Sequence, residues 1–104
     1  MARVCPLFSG SRGNSTYVGG SQGGVLIDAG VSAKQLCNAL LQRQIDIESI
    51  QGIFVTHEHG DHVSGVRVFA SRHHIPVFGS CGTIGAMRDY GCVNDGMKAN
   101  CIDS

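Results

Sequence analysis

No C-x-x-C pair occurs among the five cysteines, Cys5, Cys37, Cys81, Cys92 and Cys101, and their number is odd. A disulfide framework is therefore not expected, and a reduced, cytoplasmic setting is. Neither sign of charge is in excess: eight Lys and Arg balance eight Asp and Glu. That argues against a broad electrostatic footprint for nucleic acid, although six of the eight basic residues are arginines and a local patch stays open. No run of about 20 apolar residues exists, so no membrane span is expected. The opening, MARVCPLFSG, has no apolar stretch long enough for a secretory signal. Internal repeats and low-complexity tracts are also lacking.

What is present fits one small domain at most, since the chain has 104 residues. A hydrophobic fraction of 42% with 15% charged residues is that of an ordinary globular protein. Glycine stands out at 15 residues, which points to tight turns and close backbone approaches.

Residues 3–8, RVCPLF, read as a short strand, with Pro6 marking an edge position or a bend. A Ser/Gly-rich loop follows at 9–15. Strands at 16–18 and 25–28, joined by GGSQGG, suggest a hairpin. Ser32 and Gln35 sit at capping-box spacing, and Leu36, Ala39 and Leu40 then recur at helical spacing. Arg43 continues that row as its solvated end. GIFVT at 52–56 is an apolar strand, and residues 63–74 read as a helix with Val66, Phe69 and Ala70 facing inward, weakened by Gly65. IPVFG at 75–79 is a further strand. Residues 80–91 form a last helix, with Ser80 and Thr83 assigned to its cap and Gly91 to its stop. The order β-β-β-α-β-α-β-α indicates a layered α/β fold.

THEHGDH at 56–62 concentrates three of the five histidines. Just past a strand the chain is still extended, so His57 and His59, two residues apart, point the same way and can converge on one ion. Gly60 allows a sharp turn, after which Asp61 and His62 can reach a second ion. Imidazole with carboxylate suits zinc, and also manganese or iron. The helical zinc motif H-E-x-x-H is excluded, because position 61 holds Asp61, so Glu58 is not placed as its base. The tandem His73–His74 reads as the exposed end of a helix.

At these residues the sequence resembles the metallo-β-lactamase fold superfamily, whose signature H-x-H-x-D-H stands here as His57, His59, Asp61 and His62. LIDAG upstream and GIFVTHEHGDHVSG match its context. FSGSRGNSTYV with DAGVSAKQL is similar to the YycJ (WalJ) branch, cytoplasmic metallohydrolases associated with exonuclease action on DNA. The resemblance covers residues 3 to about 90. It implies that His57 and His59 ligate a first metal and that Asp61 and His62 ligate a second, with Asp61 and His59 in the catalytic set. It implies that Asp28 orients the metal loop from behind the ligands, and that Ser11, Gly13 and Asn14 shape a neighbouring loop. Two zinc ions are implied, with manganese or iron as substitutes. The implied mechanism is attack on phosphorus by a metal-activated hydroxide, its pKa lowered towards ~7, with nucleic acid as the substrate.

The family's full site needs a third histidine on the first metal, a bridging aspartate and a last histidine. His73 and His74 do not match those positions, and Asp89, Asp95 and Asp103 lack a strand-end context. The resemblance therefore implies the amino-terminal half of an αββα sandwich: one mixed β-sheet with helices on one side. Residues 1–90 would be the partial domain and 91–104 an irregular tail. The sheet's inner face, above all VLID and GIFVT, would expose apolar surface and favour a homodimer. Two other readings are a half-domain that binds metal weakly without turnover, and a module that serves only for interaction.

Overall fold

The computed structural model describes residues 3–11, 13–57 and 59–102, with the side chain of Asp61 outside that description. The elements in chain order are β1 (Arg3–Phe8), β2 (Ser15–Gly20), β3 (Gly23–Ile27), α1 (Ala33–Gln42) and a 3-10 turn (Ile47–Ser49). They continue with β4 (Ile50–Phe54), α2 (Gly60–Val63), α3 (Val66–His73), β5 (Val77–Gly79), α4 (Cys81–Asp89) and β6 (Ala99–Cys101).

The six strands form one mixed sheet whose spatial order equals their order in sequence. The first three are antiparallel, with Tyr17 opposite Leu26 across the expected hairpin. From β3 onward the pairs are parallel, Ile27 lying against Phe54 and Phe54 against Phe78. Each parallel connection passes through a helix. Right-handed crossovers between strands that march one way place α1, α3 and α4 on the same face.

Burial follows that one-sided cover. Leu26, Ile53 and Val77 are in register on the helix side and fully buried, packed with Leu36, Leu40, Val66 and Phe69. Ile27, Phe54 and Phe78, one residue on, turn to the opposite face and are half-buried. There the Phe54 and Phe78 rings stack with centroids 4.9 Å apart. Among the large hydrophobic residues of the strands, Val4 is open, at 67% exposure.

Local chemistry sets the helix starts as expected. The Ser32 hydroxyl accepts from the Gln35 amide at 3.2 Å, while the Gln35 side chain accepts from the Ser32 amide at 3.2 Å. Ser80 caps α4 by accepting from the Thr83 amide at 3.1 Å.

Three expectations need correction. The helix expected over 63–74 is two pieces, α2 and α3, broken at Ser64–Gly65. The reason is a close approach: a Cβ on Gly65 would fall on the Val31 carbonyl oxygen, so the chain is pinned there to the segment leaving β3. The stretch after Gly91, expected to be irregular, contributes β6, which pairs with β5, and Val93 is buried. A three-residue strand is too short to show a period. His73, finally, is partly buried rather than free in solvent, its ring 4.8 Å from that of Phe69 and its Nε2 3.8 Å from Cys37 Sγ.

Candidate functional site

The site lies beyond the carboxyl ends of β3 and β4, where parallel strands hand the chain to loops. Because Ile27 and Phe54 are register partners, the next residues of both strands emerge side by side. The Asp28 amide donates to the Phe54 carbonyl at 2.8 Å and extends the ladder by one bond. Asp28 then turns sharply into the left-handed region, φ 66°. Aspartate tolerates that conformation better than most residues.

The turn aims the Asp28 carboxylate back under the histidine loop, where it is buried. Oδ1 accepts from the Thr56 backbone amide at 2.7 Å. Oδ2 accepts from the Thr56 hydroxyl at 2.6 Å and lies 2.6 Å from His62 Nδ1. A buried carboxylate with three donors on it is a rigid support. The sequence-expected residues Asp28 and His62 are thus brought together directly.

His57 is exposed, and its Nδ1 lies 3.1 Å from the Thr56 hydroxyl oxygen. His62 is partly covered, with 20% of its side chain exposed. The His57 ring centroid is 4.8 Å from that of His62 and 6.1 Å from that of His59. His59, also exposed, precedes α2 in extended conformation, and its carbonyl accepts from the His62 amide at 2.9 Å. Gly60, Asp61 and His62 are therefore in a helical turn rather than an open loop. The backbone of Asp61 is in α2, its side chain lies outside the described residues, and so does Glu58.

Two further loops buttress this turn. The Ala29 amide donates to the His62 carbonyl at 2.9 Å, and the Gly65 amide donates to the Ala29 carbonyl at 2.8 Å. Ala29 is thereby clamped to the carboxyl end of α2 and to the break that follows it. On the other side, the Gly30 amide donates to the Asn14 carbonyl at 2.9 Å. Gly13, at φ 155°, presses on Gly30 and Val31, where a Cβ would collide with both. Asn14 closes its own loop, its side-chain amide donating to the Gly10 carbonyl at 3.0 Å. Gly13 and Asn14 thus support the segment after β3, while Ser11 is an exposed turn residue.

Thr56 is the residue that sequence reasoning missed. As a β-branched residue at the end of GIFVT it reads as strand. The signal was its position: one residue before His57, on a parallel strand whose neighbour ends in Asp28. His73, His74, Ser80 and Thr83 belong to other places in the fold.

The donor set suits a zinc-class ion. His57 Nδ1 faces the Thr56 hydroxyl and His62 Nδ1 faces Asp28 inside the protein, and Nε2 is the ring nitrogen through which each would ligate an ion. Among the described residues no group of three or more His, Cys, Asp or Glu side chains forms a finished cation site. None of the five cysteines is in a disulfide. No helix among the described residues is long and apolar enough to cross a membrane.

Comparison with known proteins places these features. The family model of the metallo-beta-lactamase superfamily matches residues 9–89. The chain is 42% identical over 81 residues to exodeoxyribonuclease YycJ of Bacillus anthracis, covering 78% of this chain and 31% of that protein. It is 37% identical over 83 residues to exodeoxyribonuclease WalJ of Streptococcus pneumoniae, covering 80% of this chain and 31% of that one. The match thus spans about a third of the length of these relatives. In structure it is similar to a metallo-beta-lactamase of Cronobacter sakazakii, with TM-score 0.76 and 24% identity over 85% of this chain and 36% of the other.

Proposed function

The chain belongs to the metallo-beta-lactamase superfamily, and we propose that it carries the amino-terminal part of a two-metal hydrolase site for DNA phosphodiesters. One observation carries the metal reading: Asp28 and Thr56 hold the Nδ1 atoms of His62 and His57, so Nε2 is the nitrogen with which each ring would bind an ion. His57 and His59 would hold one ion, and Asp61 with His62 the other. Asp61 and His59, at the start of the α2 turn, would form the catalytic set. Zinc, or manganese or iron in its place, supplies Lewis-acid polarisation and a water acidified towards pKa ~7 when bound.

The chain's own residues do the rest. Asp28 fixes the His62 ring plane, and Thr56 links the following residue, His57, to the same carboxylate. Gly13, Asn14 and the loop at 28–32 brace the turn from behind, so the ligands would be set by packed backbone rather than by a free loop. DNA as substrate, with exonuclease action, is supported by the two exodeoxyribonuclease relatives. A cytoplasmic setting is supported by five cysteines outside any disulfide.

A second reading is a half-site that holds metal weakly and does not turn over. It is favoured by the spread of the three imidazoles, which are adjacent but not gathered on one point. The deciding experiment is zinc and manganese content per chain with native mass, followed by hydrolysis of linear single- and double-stranded DNA. Two ions per chain with metal-dependent release of nucleotides is the expected result for the hydrolase. Substoichiometric metal and no release would leave the half-site reading in place.

A further inference from the structure

We propose that Thr56 is a positioning residue that fixes the tautomer of His57, so that the single carboxylate of Asp28 orients two of the histidines. The inference deepens the metal reading and rests on it only for its consequence. The argument is an accounting of protons. A carboxylate accepts and does not donate. At 2.6 Å, the contact between Asp28 Oδ2 and Thr56 Oγ1 needs a proton between the two oxygens, and only the hydroxyl supplies one. That hydroxyl has no second proton. Across the 3.1 Å contact to His57 Nδ1, Thr56 Oγ1 must therefore accept, and His57 Nδ1 must be the donor. His57 then carries its proton on Nδ1, and the lone pair is on Nε2. The same count at the 2.6 Å contact between His62 Nδ1 and Asp28 Oδ2 gives His62 the same tautomer by a direct bond.

In water a neutral imidazole is free to place its proton on either nitrogen. The relay Asp28–Thr56–His57 removes that freedom before any ion arrives. The Thr56 amide, donating to Asp28 Oδ1 at 2.7 Å, keeps the hydroxyl over the carboxylate, so backbone and side chain of one residue act together. Residues that orient metal-binding histidines in this way typically change affinity by roughly 10- to 100-fold when removed.

The test uses the metal-free chain with 15N-labelled histidine, at a pH of about 8 where ordinary imidazoles are neutral. Two-bond 15N–1H correlations give the tautomer of each ring. In the wild type both His57 and His62 should be protonated on Nδ1. Thr56→Val keeps the shape but removes the acceptor. His57 should then shift towards protonation on Nε2, while His62, held directly by Asp28, stays as it was. Thr56→Ser should restore the wild-type signature. Zinc affinity measured on the same three proteins should fall roughly tenfold or more in the valine variant and recover in the serine variant.

An Nε2-protonated His57 in the wild type overturns the proposal, as does a valine variant with an unchanged His57. Should the valine variant fail to fold, the wild-type and serine spectra still decide, since Nδ1 protonation of His57 in both is required. The metal reading fails separately. If the tautomers behave as described but the wild type takes up no zinc, Thr56 keeps its positioning role and the proposed metal site falls.

Discussion

Asp28 combines a costly backbone with the densest set of hydrogen bonds in the site. A non-glycine residue at φ 66° stores on the order of 1 kcal/mol or more. It is held there because its carboxylate takes donors from Thr56 twice and from His62 once. The two terms can be separated by substitution. Asp28→Asn keeps a side chain that tolerates the turn but offers one acceptor oxygen in place of two. It should fold, lose about 1–2 kcal/mol of stability, and bind zinc roughly 10- to 100-fold more weakly. Asp28→Ala loses every side-chain acceptor and suits the turn less well, so it should cost about 3 kcal/mol or more. Urea denaturation midpoints and zinc titration measure both. Equal stability of the two variants would show that neither the turn nor the acceptor kept by asparagine contributes.

At the scale of elements, the break between α2 and α3 anchors the turn that carries His62. The chain dips at Gly65 to touch the segment after β3, and Ala29 there bonds both Gly65 and the His62 carbonyl, which holds α2 beside Asp28. Gly65→Ala should therefore cost more than about 2 kcal/mol, because backbone rather than a flexible side chain must yield to the new methyl. Gly85→Ala is the control. It lies inside α4 with open space around it and should stabilise the protein by up to about 1 kcal/mol. Thermal unfolding of the pair gives the comparison. A silent Gly65→Ala would mean that the loop after β3 is softer than its hydrogen bonds indicate.

For the whole molecule the governing feature is a sheet covered on one side. Leu26 is fully buried beneath the helices, while Phe54 on the other face is half-buried against Phe78. Leu26→Ala should cost about 2–5 kcal/mol, as for a large-to-small change in a core. Phe54→Ala should cost less than about 2 kcal/mol, since the ring is only partly buried. Denaturation at two protein concentrations measures both. A Phe54→Ala cost as large as that of Leu26→Ala, growing with concentration, would show that the open face is covered in solution.

Much of this was legible before any coordinates. The capping box at Ser32–Gln35 and the inward row Leu36, Ala39 and Leu40 are local signals, and local sequence decides caps and helix faces. The alternation of β-branched strands with helices determined a layered α/β fold, and the spacing His57, His59, Asp61, His62 determined where to look for chemistry. Other features arise from contacts between residues distant in sequence, which no local period encodes. Gly65 reads as a weak helix position until Val31 is seen beneath it. β6 is too short to declare itself and exists because β5 offers an unpaired edge. Thr56 looks like a strand residue and becomes a link between two histidines only because parallel pairing brings Asp28 alongside it, 28 residues away in the chain. The sequence alone chose the side-chain types of the site, and tertiary structure decided which ring nitrogen of His57 and His62 is held inside, because that choice depends on a carboxylate supplied by the neighbouring strand.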